Sequence, residues 1–547
     1  MFWDRHLPTL NAAGAALLAR EFWTPYPEVP SGKIYGETAR DDGLASYQAL
    51  LNKPFDIADH PETARIGTEI SPYGDALGIT YPAAEPQVLI DAANKIADAF
   101  AASDVKIRIG ALLETLARLN AQSFLMGNAV MNTTGQAFPM AFQAGGPHAQ
   151  DRALEAVAAA WAEMQRFPAQ AIWEKPQGKQ APLRLEKHWT LIPSGLSLAI
   201  GCNTFPTWNS FPGIFASLAT GNPVIIKPHP SAVLPLALAV KTLREVFIEA
   251  GLAADAVLLA VDLVDAPIAD KLATHSDIKL IDYTGSNTFG DWLRGNAVQA
   301  KLFTEEAGIN TITIAGTDNF LAMADNLAFA LSLYSGQMCT APQNIYIPEG
   351  GIETDEGHKS FDDVAKGLAD AIDRLVADPA RAAAICGAIA NPATLSRVEK
   401  ARSLGRIIRD SAPLDYKNSA TPLLIAIEAG DEATTHEWFG PIMFIIPAKD
   451  GDVAIQTASG LARKKGAITA ALYDTNEPRI QRAAIAFARA GVNLSVNLTG
   501  NIFVNQSAAF SDFHVTGANP AGNACLTDTA FVASRFHHAM WRRPVTE

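Results

Sequence analysis

The fold of this chain is decided by the stretch Leu280-Ile281-Asp282-Tyr283-Thr284-Gly285-Ser286-Asn287-Thr288-Phe289-Gly290. Its first four residues form a short apolar run typical of a buried strand, and a helix is predicted after the glycines. A strand that passes through a glycine into a helix presents free N–H groups and a positive dipole end to an anion. The stretch therefore predicts a phosphate-binding turn at Gly285, Ser286 and Gly290, although an ordinary tight turn has the same signature.

Strands and helices alternate on both sides of this turn. The strand and helix candidates before it are, in order, 198–200, 211–220, 223–226, 232–250, 257–259 and 265–274. A second alternation begins at 311–314 and continues to about residue 500. Alternation of this kind predicts two α/β units with parallel sheets covered on both faces, and a boundary near 306–310.

The first 85 residues have a different texture. They are rich in proline, glycine and short polar clusters, which predicts an irregular lead-in. Apolar residues at helical spacing then predict helices at about 88–102, 105–128 and 148–166.

Composition limits the function classes. The 547 residues are 48% hydrophobic and 18% charged, enough for two or three domains. The net charge of −14 disfavours nucleic acid and anionic membranes as partners. The sequence has no secretory signal pattern and no apolar run long enough to span a bilayer. Four widely spaced cysteines predict neither disulfides nor a zinc knuckle, so we expect a cytoplasmic protein.

Cys339 is the candidate nucleophile. It lies in Leu333-Tyr334-Ser335-Gly336-Gln337-Met338-Cys339-Thr340, where Gly336 permits a tight turn at the end of an apolar helical run. A cysteine attacks carbonyl carbon as the thiolate, once N–H groups, a cation or a base lower its pKa. A packed structural cysteine fits the same segment equally well.

A carboxylate pair and an asparagine pair are candidates for the remaining chemistry. Glu305 and Glu306 stand at the predicted domain boundary, either as a general base in a cleft or as a solvated acidic pair. Asn203 and Asn209 follow a predicted strand, and their amides suit either an oxyanion or a helix cap.

Two further segments suit a dinucleotide. Lys227 ends a predicted parallel strand, where cofactors bind in open α/β sheets, although a surface lysine is the commoner case. Glu437 and Phe439 share a tight loop, compatible with ribose and ring contacts. No metal-binding pattern is present, so we expect no catalytic metal, and no histidine motif accompanies Cys339.

Taken in order, these pieces resemble the aldehyde dehydrogenase superfamily from about residue 85 to 520. The resemblance is carried by Gly336-Gln337-Met338-Cys339, Thr284-Gly285-Ser286 through Gly290, Ala219-Thr220-Gly221-Asn222 with Lys227-Pro228, and Glu437 to Pro441. It implies an α/β fold with a Rossmann-like cofactor domain, a second α/β catalytic domain and a small β oligomerisation arm. The implied ranges are a lead-in (1–85), a dinucleotide-binding domain (86–307, with arm residues near 183–192), a catalytic domain (308–510), and the arm with the C-terminal tail (511–547).

The resemblance also implies a role for each matched position. Cys339 is then the nucleophile, Glu305 the general base with Glu306 as the alternative, and Asn203 the oxyanion donor with Asn209 as the alternative. The implied cofactor contacts are Lys227 to the adenosine ribose, Gly285 and Ser286 in the turn closed by Gly290 to the pyrophosphate, and Glu437 with Phe439 to the nicotinamide ribose.

One departure from the family pattern bears on the cofactor. Members that prefer NAD usually carry a glutamate three residues after the lysine, and here that position is Pro230. Without that carboxylate a 2′-phosphate is not repelled, and His229 is expected beside it. The resemblance therefore implies NADP or NAD, with NADP favoured.

A narrower resemblance concerns the substrate. Several segments look like a bacterial branch of the family, the phenylacetic acid degradation proteins (PaaN): Tyr26-Pro27, Tyr35-Gly36-Glu37-Thr38, Gly135 to Phe138, Ala144 to Asp151 and Asn505 to Asp512. This branch implies a semialdehyde substrate from aromatic ring degradation, including a coenzyme A thioester form. The superfamily, whose members usually pair through the β arm, implies a homodimer or homotetramer. The alternatives are an acylating enzyme that uses coenzyme A instead of water, and a non-catalytic relative of the same fold.

Overall fold

The computed structural model describes residues 2–526 and 528–545. Its helices are α1 (Phe2–Ala19), α2 (Gly32–Tyr35), α3 (Ala39–Leu50), α4 (Pro86–Ala101), α5 (Val105–Ala121), α6 (Ser123–Thr134), α7 (Phe138–Gly145), α8 (Pro147–Met164), α9 (Pro206–Ala219), α10 (Leu234–Glu249), α11 (Ala269–Ala273), α12 (Asn287–Asn296), α13 (Phe320–Ser332), α14 (Phe361–Val376), α15 (Pro379–Cys386), α16 (Pro392–Ala401), α17 (Gly451–Lys465), α18 (Glu477–Arg489) and α19 (Thr529–Ala533).

The strands are β1 (Ala64–Ile66), β2 (Tyr81–Ala83), β3 (Gln170–Gln177), β4 (Gln180–Pro193), β5 (Leu196–Ile200), β6 (Val224–Lys227), β7 (Val257–Leu259), β8 (Ile278–Thr284), β9 (Lys301–Glu305), β10 (Asn310–Ile314), β11 (Pro342–Pro348), β12 (Ile352–Thr354), β13 (Gly357–Lys359), β14 (Arg406–Arg409), β15 (Leu423–Ala426), β16 (Ile442–Ala448), β17 (Thr469–Tyr473), β18 (Asn493–Val496) and β19 (Phe536–Pro544).

The first large sheet has five parallel strands in the order β7-β6-β5-β8-β9. Its central strand β5 is buried along its whole length, as expected for a parallel strand covered on both faces. The chain moves from β5 outward to β6 and β7, and then returns to β8 on the other side of β5. The crevice at the carboxyl ends of β5 and β8 is therefore the topological switch point, where such sheets bind ligands.

The second large sheet has seven strands in the order β14-β15-β16-β11-β10-β17-β18, all parallel except the antiparallel edge strand β14. It begins at Asn310, a short connection after Glu305 ends the first sheet. The carboxyl edge of the first sheet therefore meets the amino edge of the second. The two sheets confirm the predicted fold.

Four large apolar clusters hold these layers together, one of them formed by α4, α11 and α12 against the first sheet. The largest includes residues of α5, α8, α9 and α10 packed beside the first sheet. Two further clusters lie on the faces of the second sheet. Outside these layers, β3, β4 and β19 form a three-stranded antiparallel arm, which joins the 183–192 segment to the C-terminal strand.

The expected irregular lead-in is wrong, because two long helices, α1 and α3, lie within residues 1–85. α1 packs against α5 and α8, and its start lies so close to Gly110 that a Cβ there would be 2.6 Å from the Trp3 nitrogen. A proline inside α1, Pro8, hides this helix from pattern reading. The single helix predicted at about 105–128 is likewise two helices, which break at Gln122.

No helix in the described residues combines the length and the apolar character needed to cross a membrane.

Candidate active site

The segment before Cys339 is a strained turn between α13 and β11. Tyr334, Ser335 and Gly336 all have positive φ angles, of 51°, 48° and 64°. Left-handed backbone at two non-glycine residues persists only where other contacts hold it. The Ser335 hydroxyl supplies such contacts, because it lies 3.1 Å from the Cys386 carbonyl and 2.8 Å from the Ala420 carbonyl. The turn therefore presents the cysteine in a fixed position.

Gly336 also brings a second loop to the nucleophile. A Cβ at Gly336 would lie 2.3 Å from the Gly440 carbonyl oxygen, so only glycine permits this approach. Gly440 belongs to the loop that carries Glu437 and Phe439. The close contact explains how two segments about a hundred residues apart in sequence share one cleft.

Cys339 itself lies half-buried at the junction of the two sheets. Asn310, the first residue of β10, donates its amide to the Cys339 carbonyl at 2.8 Å. Burial and the neighbouring Glu305 carboxylate raise the pKa of the Cys339 thiol well above its ordinary value. A thiol in this environment needs a base or a counter-charge before it can attack.

Glu305 is the last residue of β9 and is buried. Its two carboxylate oxygens have separate partners: Asn209 Nδ2 donates to one at 3.0 Å, and His514 Nε2 lies 3.1 Å from the other. Burial acts to raise the pKa of Glu305, but the His514 charge and hydrogen bonds from His514, Cys339 and Asn209 outweigh it and lower the pKa. Glu305 is therefore ionised and able to accept a proton beside Cys339.

Glu306 points away from this cluster. Its carboxylate forms a two-point pair with the Arg294 guanidinium, one contact being 3.0 Å long. It also covers Gly290, where a Cβ would lie 2.3 Å from a Glu306 oxygen. Of the two carboxylates, only Glu305 contacts the Cys339 and His514 side chains, and Glu306 instead braces the turn that opens α12.

His514 was not anticipated from the sequence. Its Nε2 lies 3.8 Å from Cys339 Sγ, and the reactive atoms of Glu305, Cys339 and His514 all lie within 4.8 Å of one another. No histidine motif accompanies Cys339 in the sequence, and the fold nevertheless places this histidine beside the thiol. A single histidine 175 residues after the cysteine forms no motif, and the only sequence signal was the adjoining segment Asn505 to Asp512.

The two asparagines have different surroundings. Asn209, in the first turns of α9, is committed to Glu305, and its side-chain oxygen lies 3.7 Å from the Cys202 sulfur. Asn203 lies in the loop after β5, and its side-chain oxygen is buried without a hydrogen-bond partner among the described residues. Because Asn209 Nδ2 already donates to Glu305, Asn203 is the better candidate of the two to donate to an oxyanion.

The cofactor half of the cleft starts at Lys227, the last residue of β6. Its Nζ forms an ion pair at 2.8 Å with Asp262, which lies in the loop after the neighbouring strand β7. Burial, together with the charge of Lys227, lowers the pKa of His229 to about 4, so this ring is uncharged at neutral pH. The buried carboxylate beside Lys227 was not anticipated.

The predicted phosphate-binding turn joins β8 to α12. The Ser286 hydroxyl caps α12 by accepting from the Phe289 N–H at 3.4 Å. A Cβ at Gly285 would lie 2.4 Å from the Tyr283 hydroxyl, so the backbone there is kept bare. A bare backbone at the N-terminus of a ten-residue helix fits a pyrophosphate.

Glu437 and Phe439 lie together beside Arg397. The guanidinium donates to the Phe439 carbonyl at 3.0 Å. Burial raises the pKa of Glu437 to about 7, with the Arg397 charge opposing the shift. The charge on Glu437 therefore changes near neutral pH.

Comparisons with known proteins agree with this geometry. The model of the aldehyde dehydrogenase family matches residues 69–514, well over half of the chain. A crystal structure of an NAD-dependent aldehyde dehydrogenase from Burkholderia multivorans is 49% identical, with a TM-score of 0.98 over 100% of this chain and 99% of that one.

Curated relatives are more distant and match only in part. A 1-pyrroline-5-carboxylate dehydrogenase from Bacillus pumilus is 24% identical, and the match covers 61% of this chain and 65% of that protein. An N-succinylglutamate 5-semialdehyde dehydrogenase from Burkholderia multivorans is 29% identical over 49% of this chain and 55% of that protein. The match to the family model and the fold confirm the predicted superfamily and the predicted class of enzyme: this chain belongs to the aldehyde dehydrogenase family.

Proposed function

We propose that this protein oxidises an aldehyde to the carboxylic acid with NAD or NADP, through a thioester on Cys339. The observation that carries the proposal is the convergence of Cys339 and Glu305 where the cofactor crevice of the first sheet meets the second sheet. Nucleophile and base come from different sheets, and a switch-point crevice lies beside them.

In the first half of the reaction, the Cys339 thiolate adds to the aldehyde carbon. The oxygen that becomes negative accepts hydrogen bonds from the Asn203 amide and the Cys339 backbone N–H. Bound NAD(P) supplies the acceptor for the hydride. Loss of that hydride from the reacting carbon leaves an acyl group on Cys339.

In the second half, water releases the acyl group. Glu305 is ionised and buried beside Cys339, so it is placed to take a proton from the attacking water. The products are the carboxylic acid and the free cysteine. Glu306 takes no part in this step, because Arg294 holds its carboxylate away from the cluster.

The residues of the first sheet fit a dinucleotide. Lys227 would hold the adenosine ribose, Gly285 and Ser286 the pyrophosphate, and Glu437 with Phe439 the nicotinamide ribose. The described contacts argue against the NADP preference expected from Pro230, since Asp262 compensates the charge of Lys227 and His229 is neutral. Neither residue then offers a free positive charge to a 2′-phosphate, so we infer that NAD is preferred.

We place the substrate among semialdehydes released by aromatic ring degradation, in free form or as coenzyme A thioesters. The support is the resemblance of five segments to the phenylacetic acid degradation branch, together with the semialdehyde named for one relative. Cys202, Cys339 and Cys386 form no disulfide, which suits a reducing compartment such as the cytoplasm.

The experiment is a cofactor-reduction assay over simple aldehydes, dicarboxylic semialdehydes and coenzyme A-linked semialdehydes, each with NAD and with NADP. We expect turnover without added coenzyme A, the free acid as product, a higher kcat/KM with NAD, and loss of turnover in Cys339→Ser. A product that forms only with added coenzyme A would assign the protein to the acylating class. Absence of both turnover and cofactor binding would assign it to non-catalytic relatives of the fold.

A further inference from the structure

His514 is a buried ionisable group beside the nucleophile that the mechanism above leaves without a role. We propose that His514 takes the proton of the Cys339 thiol and remains as an imidazolium, so that the resting enzyme carries a thiolate while Glu305 stays ionised. The inference rests on the proposed function in one respect, the identity of Cys339 as the nucleophile.

The surroundings of Cys339 create the need for such a group. The sulfur lies in a largely desolvated position next to an ionised carboxylate, and both features oppose a second negative charge. Two anions this close are tolerated only when a cation lies between or beside them. His514 is the histidine within reach of both, at 3.8 Å from the sulfur and 3.1 Å from Glu305.

The position of His514 Nε2 allows the ring to take the thiol proton and to donate an N–H to Glu305. A neutral ring protonated on Nδ1 keeps its lone pair on Nε2, which lies 3.8 Å from the Cys339 sulfur and 3.1 Å from the Glu305 carboxylate. On proton transfer the S–H bond breaks, an N–H bond forms on Nε2, and the new N–H donates to Glu305. The summed charge of the three groups stays at minus one, so no further reactant is required.

The surroundings of the other ring nitrogen, Nδ1, are also compatible with an imidazolium. His514 Nδ1 lies 3.4 Å from the Ser507 hydroxyl, which in turn accepts from Arg152 at 3.0 Å. A hydroxyl oxygen can accept twice, so Ser507 can receive an N–H from the imidazolium as well. The rings of Trp208 and His514 pack in a T-shaped arrangement, with their centroids 4.4 Å apart.

The other charged groups near His514 pair with one another. Arg152 lies behind Trp208 and Ser507, and its guanidinium pairs with Glu155 at 2.9 Å. Arg20 approaches the same Glu155 at 3.7 Å. The groups that face the ring directly are therefore Glu305, Cys339, Ser507 and Trp208, and among them Glu305 supplies the lasting negative charge.

Alkylation by iodoacetamide against pH, with no aldehyde or cofactor present, tests the proposal. Peptide mass spectrometry follows Cys339 alone, which separates it from the half-buried Cys202. We expect half-maximal alkylation of the wild type near or below about pH 7, and a shift of at least about one pH unit upward in His514→Gln. His148→Gln is the matched control, because the His148 side chain is partly exposed and pairs with Glu28 instead of with any residue of the Cys339 cluster.

Identical pH profiles for wild type and a folded His514→Gln variant would overturn the proposal. If the variant does not fold, the ultraviolet absorbance of the thiolate in the wild type, with Cys339→Ser as reference, takes its place. A thiolate signal at neutral pH supports the pair, and one that appears only above about pH 9 overturns it. Because alkylation requires no turnover, either result stands apart from a failure of the proposed oxidation.

Discussion

Glu305 and Glu306 are neighbours in sequence and opposites in structure. Glu305 ends β9 and Glu306 follows it, and the first carboxylate points toward Cys339 whereas the second points toward Arg294. Residues that follow one another in a strand face opposite sides, so adjacency in sequence separates them in space. The sequence alone left both open as the base, and the partner of each is what distinguishes them.

This difference gives a prediction at the residue scale. In Glu305→Gln we expect a single burst of reduced cofactor, a trapped acyl-enzyme detectable by mass spectrometry, and steady-state turnover lowered by ~10²–10⁴-fold, the usual worth of a general base. Glu306→Gln is the matched control and should lower the melting temperature, because it breaks the two-point pair with Arg294. An acyl-enzyme that accumulates in Glu306→Gln instead would reverse the assignment.

At the scale of elements, the loop of Glu437 to Pro441 is packed onto the turn that presents Cys339. The contact at Gly336 and Gly440 leaves no room for a side chain, so the two loops pack directly against each other. Any charge change on this loop is therefore felt beside the reaction centre, and Glu437 indeed contributes to the raised pKa of Cys339.

The loop predicts a pH dependence of cofactor binding. With a pKa of about 7, Glu437 is about one-tenth ionised at pH 6 and about nine-tenths ionised at pH 8. A carboxylate is a stronger acceptor for ribose hydroxyls than a carboxylic acid, so the KM for NAD should fall as pH rises through this window. In Glu437→Gln the KM should lose this dependence, whereas exposed Glu432→Gln should retain it. A dependence unchanged in Glu437→Gln would remove the carboxylate from the ribose.

The local sequence pattern predicted most helices and strands around the site, but it did not predict the contacts between them. Lys227 ends β6 and Gly285 opens the turn into α12 because strand and helix signals are local. His514 and Asp262 have no such signal, since each gains its importance from a partner in another layer. α1 was missed for a related reason, because its proline masks a helix whose stability comes from packing.

At the scale of the molecule, the antiparallel arm exposes an apolar surface. The register pairs Trp173 with Leu185 and Trp189 with Met540, which places these four side chains on one face, together with Leu183. Trp173, Leu183 and Met540 are each more than a third exposed. Lys187 and its paired residue Arg542 share this face, so its apolar surface is interrupted by two cations. Exposed apolar surface on a projecting sheet is typical of an interface between subunits.

We therefore expect a homodimer or homotetramer in solution, held in part by this face of the arm. Trp173→Lys combined with Met540→Lys should lower the mass measured by light scattering toward that of a single chain. Ile172→Lys is the control, because Ile172 is similarly exposed but lies on the opposite face of the same strand. A wild-type protein that is already monomeric, or an unchanged mass in the double variant, would show that the arm does not assemble the enzyme.

The meeting of a carboxyl edge with an amino edge has a consequence for inhibition. Cys339 and Glu305 belong to different sheets, so the distance between their side chains depends on how closely the two sheets pack. A small molecule bound between the two sheets, away from both side chains, would separate Cys339 from Glu305 without occupying the substrate site. An inhibitor that binds there need not resemble the substrate.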